Sequence, residues 1–184
     1  MLSKSKFILG QQCHKSLWLK LNDYEETNPI DESAKDRLKA GNDVGEEAKR
    51  LFPAGVNIEF CGGDYQKMCD LTQEAIAKDT DAIYEASFIE DNIFVRVDIM
   101  HKTPSGWDIY EVKSSSALKD YHKEDVSLQW YVLNKVKNLE LNKAYVVTMN
   151  NEYVKDGDID PKEIFKLHDL TDEVLLKQPE IEKE

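Results

Sequence analysis

The chain is predicted to form an α/β domain in which a mixed central sheet is flanked by helices. Three observations predict it. Apolar residues recur at helical spacing in several stretches. Three consecutive β-rich runs between residues 83 and 113 are separated only by short turns, which makes a meander. A helical stretch then leads into one more β-rich run, the pattern of a crossover into a further strand.

The elements follow in order. Phe7, Leu9, Cys13, Leu17 and Leu21 place a helix over Ser3–Leu21, with Cys13 a small buried hydrophobe. Asn22–Asp31, containing Pro29, reads as a polar loop. Glu32–Phe52 is a second helix with Leu38, Val44, Ala48 and Leu51 facing inward, stopped by Pro53-Ala54-Gly55. Val56–Phe60 is a short strand, and Asp64 caps a helix that runs to about Lys78. Ile83–Ile89 turns at Asp91-Asn92 into Phe94–His101, and Pro104-Ser105-Gly106 turns that strand into Trp107–Lys113. Tyr121–Lys137 is a helix with Val126, Trp130, Leu133 and Val136 as its stripe, so Trp130, like Trp18, belongs to the core. Ala144–Thr148 is a strand, and Asn150-Asn151 turns toward a short return strand at Tyr153-Val154. Residues 1–155 form the domain, and residues 156–184 read as an acidic, weakly patterned extension leading toward a further domain.

The bulk properties narrow the classes. At 184 residues, 41% hydrophobic and 33% charged, the chain can bury a sizeable core. No apolar run approaches a membrane span, and the first residues lack the long apolar run of a signal peptide. Three cysteines without a regular framework suit a reducing, cytoplasmic setting. A net charge of −12 argues against a broad nucleic-acid-binding surface. Basic residues nevertheless gather at Lys4, Lys6, Lys15 and Lys20 and around Lys113, Lys119 and Lys123. The histidines at 14, 101, 122 and 168 show no metal-ligand spacing.

The chemistry concentrates in Val95–Lys113. Strand side chains alternate, so Trp107, Ile109, Glu111 and Lys113 share one face, with Asp98 on the strand before. Two carboxylates with a lysine beside them form the pattern of a Mg²⁺ site that hydrolyses phosphodiesters. Acid-any-lysine also occurs at Glu47-Ala48-Lys49 and Asp160-Pro161-Lys162, but the first lies on a helix and the second contains a proline. The plainer alternative is that Glu111 and Lys113 form a same-face ion pair on a solvated strand, of little energetic value.

The run Glu85…Asp98…Glu111-Val112-Lys113-Ser114-Ser115-Ser116…Asp125…Gln129, with the opening Ser5-Lys6-Phe7…Cys13…Leu17-Trp18-Leu19, resembles the PD-(D/E)XK nuclease superfamily. Within it, the chain is similar to the RecB-like branch that includes the CRISPR-associated Cas-four exonucleases. The resemblance spans about Leu2 to Val154 and implies a restriction-endonuclease-like fold. It implies Asp98 and Glu111 as ligands of Mg²⁺ or Mn²⁺, the Val112 carbonyl as a third ligand, and Glu85 as a support of that shell. It assigns Lys113 to the attacking water or the phosphate charge, and Gln129 to the site from the following helix. Val97 stands where the motif name has proline.

Three positions depart from that branch. Gly45 follows Gly41 where a metal-binding histidine is expected, which leaves the shell one imidazole short, with Glu46 or water as the substitute. The tyrosine four residues after the glutamine is replaced by Leu133, with Tyr131 nearby. Cys13 fits an early iron–sulfur ligand, but no cysteine follows Cys69, so no cluster can close within these residues. The expectation is a metal-dependent deoxyribonuclease acting on single-stranded DNA or free ends, with no membrane partner, as one module of a longer chain. The alternative is a catalytically inactive descendant of the fold that binds nucleic acid or a protein partner. A metal-independent interaction domain with solvated charged strands is the reading from outside the superfamily.

Overall fold

In the computed structural model, which describes residues 1–22 and 32–183, the expected mixed sheet is present and flanked by helices. The helices are α1 (Lys4–Gln12), α2 (His14–Leu21), α3 (Glu32–Lys49), α4 (Tyr65–Ala77), α5 (Asp120–Asn134), α6 (Pro161–Ile164) and α7 (Thr171–Ile181). The strands are β1 (Leu2–Ser3), β2 (Val56–Asn57), β3 (Ala82–Glu90), β4 (Ile93–Thr103), β5 (Gly106–Lys113), β6 (Leu141–Met149) and β7 (Phe165–Asp169). Among the described residues the sheet order is β2-β3-β4-β5-β6-β7, with β1 on β4. No helix among them is long and apolar enough to cross a membrane.

The antiparallel meander β3–β4–β5 forms the centre. Asp91 and Asn92 join β3 to β4 with φ of 49° and 62°, the left-handed pair that a two-residue hairpin needs. Gly106 opens β5 at φ 124°, where a Cβ would come within 2.6 Å of the Glu140 carbonyl oxygen. Helix α5 carries the chain across to β6, which lies parallel to β5.

Two cores sandwich the sheet. Met68, Phe88, Val95, Val97, Ile109, Leu128 and Leu133 fill the side covered by α4, α5 and α7. Ala48, Tyr84, Ile99, Tyr110, Val147 and Phe165 fill the side covered by α3. Tyr84 and Ala86, two residues apart, fall in different cores, as do Val97 and Ile99. The pleat therefore inverts between them. The register skips Glu85 opposite Asp98, and Glu85 has φ 60°, a left-handed conformation that side chains avoid and that costs about 1–3 kcal/mol.

Several sequence readings are corrected. The first stretch is not one helix. Leu2–Ser3 forms β1, and the extended backbone of Cys13 separates α1 from α2. Cys13 is exposed rather than buried, Trp18 is 58% exposed, and Leu38 lies outside the core. The Val56–Phe60 strand shortens to two residues. The loop expected after Asn22 lies outside the described residues. Tyr153-Val154 forms no strand, and Val154 is 84% exposed.

The chain after residue 156 differs from the expected extension. It supplies the edge strand β7, antiparallel to β6, and helix α7, whose Val174 and Ile181 are buried in the larger core. Dense charge around those few apolar residues hides their periodicity. Truncating Val174 to Ala should cost about 2 kcal/mol, from two lost methyl groups and the cavity they leave. Val154→Ala should change stability by less than about 0.5 kcal/mol. Urea denaturation of both variants checks this, and equal effects would place α7 off the core.

Candidate active site

The β4–β5 ladder runs from Thr103↔Gly106 to Ile99↔Tyr110 and stops. The next facing residues, Asp98 and Glu111, do not continue it. Instead the Val112 N–H donates to Asp98 Oδ2 at 2.7 Å. A side chain thus replaces the backbone acceptor, and the strands fork. Farther along, the freed edge of β4 is taken by β1, with Leu2 opposite Ile93 and Ser3 opposite Phe94.

The fork opens a cleft of about 310 Å³, lined by Glu85, Asp98, Ile99, Glu111 and Val112 from the sheet and by Gly41, Asn42, Gly45, Glu46 and Lys49 from α3. Tyr84 fixes α3 over it. Its hydroxyl sits at the end of that helix, bonded to the Phe52 carbonyl, 3.2 Å from the Lys49 carbonyl and 3.2 Å from the Gly55 N–H that donates to it. Glu85 is tied to Arg96 Nε at 3.2 Å, and Arg96 also donates to the Ile58 carbonyl at 3.0 Å.

Glu111 is 3% exposed and joins the cleft to a second cluster behind it. Lys4 Nζ lies 3.0 Å from both Glu111 oxygens and 3.1 Å from Asp125 Oδ1. Lys113 Nζ lies 2.6 Å from Glu111 Oε1 and pairs with Asp125 Oδ2. Gln129 Nε2 donates to Glu111 Oε2 at 2.6 Å. Burial pushes the Glu111 carboxyl up, but the Lys4 and Lys113 ammonium groups outweigh it and hold Glu111 well below the usual carboxylate range. Burial and the nearby Glu111 charge push Asp98 well above that range, against the pull of Lys4. Asp125 is raised by burial and by Glu111. For both lysines, burial favours the neutral form, but Glu111 and Asp125 hold them more firmly protonated than usual.

The structure therefore brings Glu85, Asp98, Glu111 and Val112 to one cleft, and Lys113 and Gln129 reach it through Glu111. Lys113 itself faces a neighbouring groove with Lys4, Tyr121 and Asp125. Leu133 is a core residue, and Tyr131 bonds Asp91 at the β3–β4 turn, away from the site. Sequence reasoning missed Lys4 and gave Asp125 no role. Lys4 looked like one cation in a basic helix, and nothing in its spacing announces the fork. Cys13, Cys61 and Cys69 are free thiols.

Among the described residues, no three His, Cys, Asp or Glu side chains form a ready-made metal cage. The donors at the cleft are nevertheless hard oxygens, the set that Mg²⁺ and Mn²⁺ take. Gly41 and Gly45 leave open space where a Cβ would stand, and the Gln129 amide oxygen is buried without a partner among the described residues. These residues fit a cation held by few protein ligands and several waters.

No protein-family model matches the chain. No curated protein matches it. One solved structure, described as the crystal structure of SSO0001, is similar at 12% identity and a TM-score of 0.29, covering 96% of this chain and 85% of that one. A likeness that loose carries no argument about fold or function.

His122 borders the cluster. It is 1% exposed, with Nδ1 accepting from the Lys119 N–H at 3.2 Å and its ring edge-on to Tyr121. Burial, then Lys113 and Lys119, push its pKa down to about 4. A depressed histidine favours the folded state above its unfolded pKa and loses that contribution as pH falls, because the unfolded chain takes up the proton. The His122 contribution should therefore be lost between roughly pH 6.5 and 4, set against the opposite trend of the raised Asp98 and Asp125 carboxyls, so that across that window His122→Gln should lose less stability, or gain more, than wild type. Denaturant titrations at several pH values check this. Parallel pH profiles would contradict it.

Proposed function

We propose that the chain is a Mg²⁺- or Mn²⁺-dependent nuclease of the PD-(D/E)XK, restriction-endonuclease-like type, hydrolysing phosphodiester bonds in DNA with single-stranded regions or free ends. One observation carries the reading: Asp98, Glu111 and Val112 meet at a strand fork, in a cleft, with Lys113 on Glu111. Asp98, Glu111 and the Val112 carbonyl would hold the cation, and Glu85 would support it. A divalent ion bound there supplies Lewis acidity to a phosphodiester.

The chain's own residues supply the rest. Gln129 and Lys113 fix the Glu111 carboxylate from two sides. The Val112 N–H fixes one Asp98 oxygen and leaves the other to face a ligand. The Lys113 ammonium, firmly protonated, holds Glu111 from the neighbouring groove, and on turning from Asp125 toward the cleft it would orient the attacking water or offset charge gathering on the phosphate. Lys49 and Asn42 on α3 give the cleft wall further donors.

The alternative, an inactive nuclease fold that binds nucleic acid or a partner, is favoured by one observation. Both Glu111 oxygens are already held by Lys4, Lys113 and Gln129. Hydrolysis of single-stranded and linear duplex DNA, with Mg²⁺ or Mn²⁺ and with EDTA, decides between the two. Metal-dependent cleavage lost in EDTA supports the nuclease. Its absence with both ions leaves the binding module.

Lys113→Ala should lower the cleavage rate about 100-fold or more without weakening metal binding, because lysine is not a ligand of Mg²⁺. Asp98→Ala should lose both. Equal Mn²⁺ affinity in wild type and Asp98→Ala would overturn the ligand assignment. Gly45 lines the cleft with open space beside it, so Gly45→His should tighten Mn²⁺ more than Mg²⁺, imidazole suiting the transition metal. Paired titrations of both ions check this. No change for either would mean that position 45 does not reach the cation.

A further inference from the structure

Lys4 is delivered to the site by the fork. Once β5 leaves β4, the two residues of β1 pair with the free edge, and Lys4 follows at the start of α1. Its ammonium meets both oxygens of Glu111, each at 3.0 Å. Oε1 also accepts from Lys113 and Oε2 from Gln129. A carboxylate offers about four lone-pair sites, and these four contacts fill them. Glu111 nonetheless lines the cleft with Asp98 and Glu85. A cation can use Glu111 only if one contact opens.

The contacts are unequal. Gln129 is fully buried in α5, and Lys113 sits two residues from Glu111 on the same strand. Lys4 makes two of the four contacts, both at 3.0 Å and longer than the 2.6 Å contacts of Lys113 and Gln129, and its ammonium, like that of Lys113, has a second carboxylate to stay on, Asp125 at 3.1 Å. Its side chain is 18% exposed and borders the groove that holds Tyr121 and Gln12. A flexible four-carbon stem lets it swing without moving the backbone.

We propose that Lys4 is the site's resident cation: its ammonium occupies Glu111 when no divalent ion is present and yields Glu111 to the ion, remaining on Asp125. The inference rests on the divalent-cation reading above and adds a positioning residue to it. Charge supports it. Asp98, Glu111 and Asp125 face Lys4 and Lys113, so removing Lys4 makes the site one unit more negative and frees two lone pairs of Glu111 for an incoming ion.

The test is calorimetric titration of Mn²⁺ and Mg²⁺ into the chelator-treated full chain without DNA. Lys4→Met should bind each ion about tenfold more tightly than wild type. Equal or weaker binding would overturn the proposal, since a lysine that only braces the fold would lower stability and leave affinity unimproved. A second measurement needs only the wild type. Acetylation of lysines, read by mass spectrometry, should rise several-fold at Lys4 on saturation with Mg²⁺, with Lys113 unchanged. Unchanged protection of Lys4 would overturn the proposal even if the variant fails to fold. If the wild type takes up neither ion at millimolar concentration, the divalent-cation reading fails and this inference with it. If the ions bind and Lys4 responds but DNA stays intact, only the hydrolytic reading fails.

Discussion

The hydrogen bond from the Val112 N–H to Asp98 Oδ2 is the constraint on which the rest of the site depends. In an uninterrupted antiparallel pair, that N–H would face a β4 carbonyl, and β5 would stay beside β4 to the end. By accepting it with a side chain, Asp98 ends the ladder without leaving a buried donor unpaired. The cleft, the vacancy that β1 fills and the presentation of Glu111 all follow. The left-handed backbone at Glu85 belongs to the same event: it lies opposite Asp98, where the pleat inverts and hands the strands from one core to the other. Strain of that kind persists only where its surroundings over-determine it, and Arg96 and the paired flanks of β3 and β4 do so here.

The charged cluster is not a source of stability. Burying carboxylates and ammonium groups costs more than a well-packed apolar replacement would, and Glu111, Asp125 and Lys113 are all largely withdrawn from water. Their mutual compensation makes the burial tolerable. It also places the ionisation of each group under the control of its neighbours, so that Glu111 stays charged while Asp98 is driven toward its protonated form. Two carboxyls at one cleft thus carry opposite tendencies, set by which of them the ammonium groups reach.

The sheet was legible because its signals are local. Asp91-Asn92 marks a hairpin by its own backbone preference, and Trp107–Lys113 alternates without interruption, so the shared face of Glu111 and Lys113 could be read directly. Beyond Asp98 the alternation rule fails, because a pleat inversion is a property of paired strands and leaves no mark on either one. The same limit hid β1. Two residues become a strand only because another strand has left its edge free, and Lys4 joins the site only through that pairing. Trp18 was assigned to the core from its apolar spacing, yet no residue of α2 is buried. The last strand and helix were obscured because their few buried residues, Phe165, Leu170, Val174 and Ile181, are diluted by charge.

The pairing of Lys4 with Glu111 spans 107 positions of sequence. Contacts that distant form late, because the loop they close costs entropy that only a finished partner surface can offset. The β3–β4–β5 meander closes through short turns and can organise early. The first residues of the chain can dock only on the edge that the completed fork exposes. The candidate site is thus the last part of the molecule to assemble, although it draws on β1, which comes first in sequence among these strands. Until the rest of the sheet exists, Glu111 has neither its lysine from α1 nor its amide from α5, and its charge stands without those partners.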